Sequence, residues 1–167
     1  MAELNPRIVA KLKQIPDVAV QAARVAMEEG AEEICAMMRS LAKRGDTGAL
    51  QASIGWTWGE IPAGSFMIDE IRAGPRQGDQ YATLRLKIYA GSKDAFYARF
   101  VEFGTRPHSL ARNASVDRGK RQDQGGSHPG TPARPFFYPS WKKMRAAYRN
   151  DIRNRVRAAI RKAWRNG

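Results

Sequence analysis

Apolar positions follow a helical spacing at both ends of the chain and alternate in its middle. Near the N-terminus Ile8, Leu12 and Ile15 are spaced for a helix, which Pro16 is expected to end or kink before Asp17 caps a restart. The apolar stripe then continues through Val18, Ala22, Val25, Ile34, Met37, Met38 and Leu41. This pattern predicts N-terminal helices over residues 5–43.

The middle of the chain shows the two-residue period of strands that bury one face. The chain is expected to continue as a strand from Ala49, with Trp56 and Trp58 pointing to the same face. Residues 66–72 are a weaker strand candidate, and residues 81–90 alternate again. The apolar side of that last strand is Leu84, Leu86 and Ile88. Three or four antiparallel strands are predicted here.

The stretch from residue 95 to residue 107 is expected to be a core element. Its rings at helical spacing are Phe96, Phe100 and Phe103, which would share one face of a short helix, although a strand also suits aromatic residues. Gly104 stands where a helix C-cap needs a positive φ. Glu102 lies at the wrong end for the helix dipole, so it is expected to pair with Arg99 or Arg106.

Residues 105–135 have no apolar periodicity and predict a long loop or arm, which we expect to contact neighbouring subunits. A basic C-terminal helix is predicted over residues 138–166. Its apolar row is Met144, Tyr148, Ile152, Val156, Ile160 and Trp164. Beside it runs a second row, called the arginine ridge below: Arg145, Arg149, Arg153, Arg157, Arg161 and Arg165.

The charge of the chain is concentrated in its C-terminal third. Residues 105–167 hold 16 basic and 3 acidic side chains, which equals the whole net charge of +13. Asp151 is the only acid on the predicted C-terminal helix. The arginine ridge therefore predicts an anionic counter-surface, either DNA phosphates or an acidic protein rim. We favour the protein rim.

Length and composition predict one α+β domain over residues 1–167, with an antiparallel sheet in residues 46–104 between the two helical ends. No apolar run reaches the roughly 18 residues of a membrane span, and no secretory leader is evident, so we expect a soluble protein made in the cytoplasm. The single cysteine, Cys35, is expected to be a small buried residue. The acidic cluster Glu28, Glu29, Glu32 and Glu33 is expected to be a solvated helix face.

Three motifs in order, at residues 46–54, 97–105 and 131–140, resemble the bacteriophage neck proteins of long-tailed phages, the minor tail protein Z-like group of head-tail joining and tail-completion components. The residues carrying the resemblance are Asp46, Thr47, Gly48, Tyr97, Glu102, Gly104, Thr105, Pro135, Phe136 and Pro139. The resemblance implies a structural virion protein assembled in the host bacterial cytoplasm. It also implies a ring, with a hexamer expected, between a head-side connector and a tail-tube or tail-terminator protein.

The resemblance brings no catalytic residues, cofactor or metal. The rival enzyme interpretation is a small nuclease that pairs Glu102 with His108 or His128 near Arg106, but no third orienting group has a recognisable spacing. A basic DNA-binding accessory protein is a stronger alternative, although no helix-turn-helix or zinc-finger signature is present. Binding of the last helix to a membrane surface is the remaining alternative.

Overall fold

The computed structural model describes residues 6–43, 45, 47–72, 84–109 and 127–166. Two long helices begin and end this part of the chain, α1 (Pro6–Leu41) and α4 (Phe137–Asn166). Between them lie the short helices α2 (Ala49–Ala52) and α3 (Ala98–Phe103). The strands are β1 (Gly55–Thr57), β2 (Phe66–Arg72), β3 (Arg85–Ala90), β4 (His108–Ser109) and β5 (Ser127–His128).

An antiparallel sheet with the order β1-β3-β2 fills the space between the helices, so the predicted α+β class is confirmed. Trp56 pairs with Ile88, and Phe66 pairs with Ala90. The strand predicted over residues 66–72 is present as β2. The predicted strand from Ala49 is wrong, because that segment first forms α2, and residues 81–83 of the last candidate lie outside the described residues.

Helix α1 continues through Pro16, so the predicted break and restart there are wrong. A proline inside a helix removes one backbone hydrogen bond, and packing must offset that loss. The segment ahead of Pro16 remains packed along α4, because Lys11 Nζ donates to the carbonyl of Trp164 at 3.1 Å. The same ammonium group lies 5.6 Å from the centroid of the Trp164 ring.

The core lies where α1, α4 and β3 meet. Leu84, just before β3, and Leu86 and Ile88 within it are buried, as predicted. The buried face of α1 is Ala23, Ala26, Met27, Ala31, Ile34, Cys35 and Met38. Cys35 is buried as predicted, and burial raises the pKa of its thiol to about 12. Val25 and Leu41, which were expected in the stripe, are each 48% exposed, because α1 is covered on only one side.

The acidic cluster of α1 was expected to be a solvated face, but two of its carboxylates accept hydrogen bonds from tryptophans. Trp58 donates its indole N–H to Glu28 Oε1 at 2.8 Å, and Trp56 donates to Glu32 Oε2 at 3.1 Å. Both tryptophans therefore face α1, as the alternation predicted. Arg39 also donates to Glu32, and that bond, followed by the one from Trp56, lowers the pKa of the Glu32 carboxyl group. These contacts attach β1 to α1.

Candidate protein interaction surfaces

Glu102, in the last turn of α3, is bound to the start of α4. Its Oε2 accepts the backbone N–H groups of Phe136 and Phe137 at 2.8 and 2.9 Å, and its Oε1 accepts that of Tyr138 at 2.9 Å. No cation pairs with this carboxylate within the described ranges, so the predicted pairing with Arg99 or Arg106 is wrong. The positive end of the α4 dipole takes the place of that cation.

This arrangement leaves no backbone N–H group in the first turn of α4 without a hydrogen-bond acceptor. The first four N–H groups of a helix have no partner within the helix. Counted from Phe136, the residue just before the helix, three of these groups donate to Glu102, and the fourth position is Pro139, which has no N–H group. The helix begins at Phe137, one residue before the predicted start. Phe136 is fully buried beneath this turn, whereas Pro135 and Pro139 are exposed.

The buried and exposed faces of helix α3 are therefore the reverse of those expected. Its buried residues are Ala98 and Glu102, and the preceding Ala95 is also buried. The rings expected in the core, Phe96, Phe100 and Phe103, are 64%, 49% and 52% exposed. These three rings form the aromatic face. Tyr97, at the N-cap of α3, is half-buried and meets Phe96 edge to face, with 6.0 Å between their ring centroids.

Gly104 ends α3 with φ of 71°, which confirms the predicted positive φ. A Cβ atom there would lie 2.6 Å from the carbonyl oxygen of Thr131. Thr105 bridges Thr131 through two backbone hydrogen bonds of 2.9 and 3.1 Å, and its Oγ1 also accepts the Thr131 N–H at 2.9 Å. The close approach of these two segments explains why residue 104 is glycine.

The ends of the predicted loop are more regular than expected, because β4 and β5 pair as a two-stranded ribbon. The central part of the loop, residues 110–126, lies outside the described residues. The rings of His108 and His128 stack within the ribbon, 5.0 Å between centroids. Glu102 is buried at the start of α4, so nothing in this arrangement supports the nuclease constellation of a free carboxylate acting with a histidine.

The structure describes most of the first motif, residues 46–54. Asp46 lies outside the described residues. Gly48 has φ of 66° at the N-cap of α2, a left-handed conformation that suits glycine. The hydroxyl oxygen of Thr47 accepts the N–H of Ala49 at 3.3 Å. These residues make the turn that leads from α1 towards the sheet.

The arginine ridge is exposed along its full length on α4. None of its six arginines forms an ion pair with any residue that the structure describes. The cation on α4 that does pair is Arg155, which binds Glu29 and, at 2.8 Å, Asp151. These two bonds raise the pKa of the Arg155 guanidinium group. The ridge is thus a row of cations without counter-charges in the described part of the molecule.

Within the described residues, no three His, Cys, Asp or Glu side chains are placed to hold a metal ion. Among the same residues, no helix is both long and apolar enough to cross a membrane.

The aromatic face and the arginine ridge are both exposed on the described part of the molecule. A family model described as "Bacteriophage HK97-gp10, putative tail-component" matches residues 7–104, well over half of the chain. The chain therefore belongs to this HK97-gp10-like family of phage tail components, as the motifs indicated. No curated protein and no solved structure matches significantly.

Family membership makes this a structural component of the virion that contacts other virion proteins, and the family is not one of enzymes. The matched segment contains α1, the three-stranded sheet and α3. Helix α4, with the arginine ridge, lies beyond it.

Proposed function

We propose that the protein acts at the phage neck, where it joins head and tail or completes the tail by assembling as a ring, with a hexamer expected. The observation that carries this proposal is the arginine ridge, six exposed cations without an ion pair among the described residues of a tail component. Such a row is suited to docking on an anionic neighbour. The partners are further copies of the chain, a head-side connector, and a tail-tube or tail-terminator protein.

The ridge has an energetic cost in the isolated subunit. Five successive arginine pairs at i, i+4 repel each other, and each pair costs roughly 0.2 to 0.5 kcal/mol. The total is about 1 to 2.5 kcal/mol, which a solvated face with interspersed glutamates would avoid. Contact with an acidic protein rim would recover this cost through charge-assisted hydrogen bonds.

A virion lacking the protein tests the neck assignment. Electron microscopy of particles from a phage with this gene deleted should show filled heads separated from tails. Restoring the gene on a plasmid should restore joined particles. Infectious, normally joined particles from the deletion phage would contradict the proposal.

A DNA-binding role is the second candidate, and the positive charge of the C-terminal third favours it. We prefer the protein rim, because guanidinium contacts with phosphate release counterions and hold DNA firmly, which would hinder its passage through a neck. Duplex-DNA affinity of the purified protein, measured across a salt series, separates the two. Negligible binding supports the protein rim. Steep, salt-dependent binding that is lost when Arg149, Arg153 and Arg157 become glutamine would favour DNA.

The loop between residues 105 and 135 is proposed as an arm that contacts a neighbouring subunit. The pairing of β4 with β5 and the Thr105–Thr131 bridge hold the two ends of this loop side by side. The intervening residues carry little apolar surface to bury on their own subunit. Hydrogen exchange should show residues 110–126 unprotected in the monomer and protected in the assembly. Strong protection in the monomer would contradict the arm.

A further inference from the structure

Three unpaired arginines lie on and beside α3, near the aromatic face. Phe96 and Phe100 face solvent, since the residues of α3 that face inward are Ala98 and Glu102. Phe103 is 52% exposed, and the rest of its ring contacts Phe66 and Tyr138, at 6.4 and 5.8 Å between centroids. Arg99 lies on the same exposed side of α3. Arg106 and Arg134 are exposed on the segments next to α3, and none of these three arginines has an ion-pair partner among the described residues. Exposed rings grouped in this way mark interaction sites.

A groove of complementary character lies between α1 and α4, and we call it the α1/α4 groove. It has a volume of about 220 Å³. Its uncharged lining is Gly30, Met144, Ala147 and Tyr148. The phenol of Tyr148 donates to the carbonyl of Met27 at 2.8 Å, so its hydroxyl is satisfied inside the subunit. The groove therefore offers apolar surface without an unsatisfied hydroxyl group.

Carboxylates give the same groove a negative charge. Glu33 and Asp151 line it, and Glu29 is joined to it through Arg155. Arg155 offsets one of the three negative charges of Glu29, Glu33 and Asp151, which leaves a net charge of −2. Glu33 is exposed and has no ion-pair partner in the described part of the chain. Arg99 and Glu33 thus remain unpaired on different surfaces of one subunit.

We infer that the aromatic face of one copy docks into the α1/α4 groove of the next copy, with Phe100 as the apolar anchor and Arg99 facing Glu33. This inference rests on the proposed ring. Two different, complementary patches on one chain make a head-to-tail interface, and such an interface closes into a ring when its rotation permits. Complementary charges select the partner and the register, and the rings supply buried apolar area. We assign a second copy of the chain to the groove, because every copy carries both surfaces.

Charge reversal tests this pairing. Assembly of purified wild-type protein and of the variants Arg99→Glu, Glu33→Lys and Phe100→Ser is followed by native mass spectrometry over a concentration series. Each single variant should raise the dissociation constant of the ring at least tenfold. An equal mixture of Arg99→Glu and Glu33→Lys should assemble again, because alternating subunits place opposite charges at every interface. The rings of the mixture should contain even numbers of subunits.

Matched controls separate this interface from general effects of charge or hydrophobicity. Lys13→Glu and Leu12→Ser change an exposed cation and a 48% exposed apolar side chain on α1 away from the groove, and both should assemble like wild type. Wild-type rings that persist in all three test variants would overturn this interface and leave the ring standing. Wild-type protein that stays monomeric at every concentration would contradict both the interface and self-assembly into a ring.

Discussion

The buried carboxylate of Glu102 accepts a hydrogen bond from the backbone N–H of Phe137 at 2.9 Å, across 35 residues of sequence. This bond and its two neighbours hold the end of α3 against the start of α4. Because Glu102 faces inward to reach that helix start, Phe96 and Phe100 on the other side of α3 face outward. One acidic residue thus links the stability of α4 to the exposure of a candidate docking surface.

Replacing Glu102 should destabilise the protein through the start of α4. Glu102→Ala leaves three N–H groups without their acceptor, and we expect a loss of about 2 to 4 kcal/mol in the free energy of unfolding. Glu102→Gln should lose less, because its amide keeps one of the two acceptor oxygens. Glu60→Gln, at an exposed position, is the control and should change little. Urea denaturation measures all three, and an Ala variant as stable as wild type would refute this role.

Gly104→Ala should also destabilise the chain. The φ of 71° disfavours alanine, and the added Cβ would lie 2.6 Å from the oxygen of Thr131 and 2.8 Å from the nitrogen of Ala133. We expect a loss of about 1 to 3 kcal/mol, measured by urea denaturation. Gly45→Ala is the matched control, since its Cβ would have no atom within 4 Å, and it should be nearly neutral. Equal stability of the two variants would contradict the described turn.

The thiol of Cys35 should be unreactive in the folded protein. Burial disfavours the thiolate and raises its pKa to about 12, so the thiol remains protonated at pH 8. Labelling with iodoacetamide at pH 8 should be slow under native conditions and complete rapidly in denaturant. Native labelling as fast as that of the unfolded chain would show that Cys35 is not in the core.

Local sequence patterns were enough to predict the fold class. The features that these patterns did not predict depend on contacts between residues distant in sequence. Alternation marked Leu84, Leu86 and Ile88, because one buried face is enough to set a period of two. The role of Glu102 was missed, because its partners lie 34 to 36 residues away. A signal was present in the proline at residue 139, since a first-turn proline marks the start of a helix.

The aromatic face shows the limit of helical periodicity most clearly. Spacing identified the shared face of Phe96, Phe100 and Phe103 but not the direction in which it points. Burial of apolar rings is the usual outcome, and here the binding of Glu102 to α4 reverses it. The acidic cluster was misjudged for a similar reason, because the indole donors of Trp56 and Trp58 come from another element.

Neutralising part of the arginine ridge should stabilise the isolated subunit. Arg149→Gln, Arg153→Gln and Arg157→Gln together remove four of the five i, i+4 repulsions, so we expect a gain of about 1 to 2 kcal/mol in the free energy of unfolding. Glutamine has nearly the helix propensity of arginine. Arg155→Gln is the contrasting variant and should lower stability, because it breaks the bonds to Glu29 and Asp151. A triple variant less stable than wild type would show that the ridge has partners within the subunit.

The central claim is that this ridge docks the protein onto an acidic neighbour at the neck, and complementation of the deletion phage tests it most directly. Joined particles are counted by electron microscopy for wild type, for the triple variant of the ridge, and for a control in which exposed Lys13, Lys43 and Lys93 become glutamine. We expect wild-type numbers of joined particles for the control and a loss of at least tenfold for the triple variant, although its subunit is more stable. Wild-type numbers of joined particles from the triple variant would show that the ridge does not dock the protein at the neck.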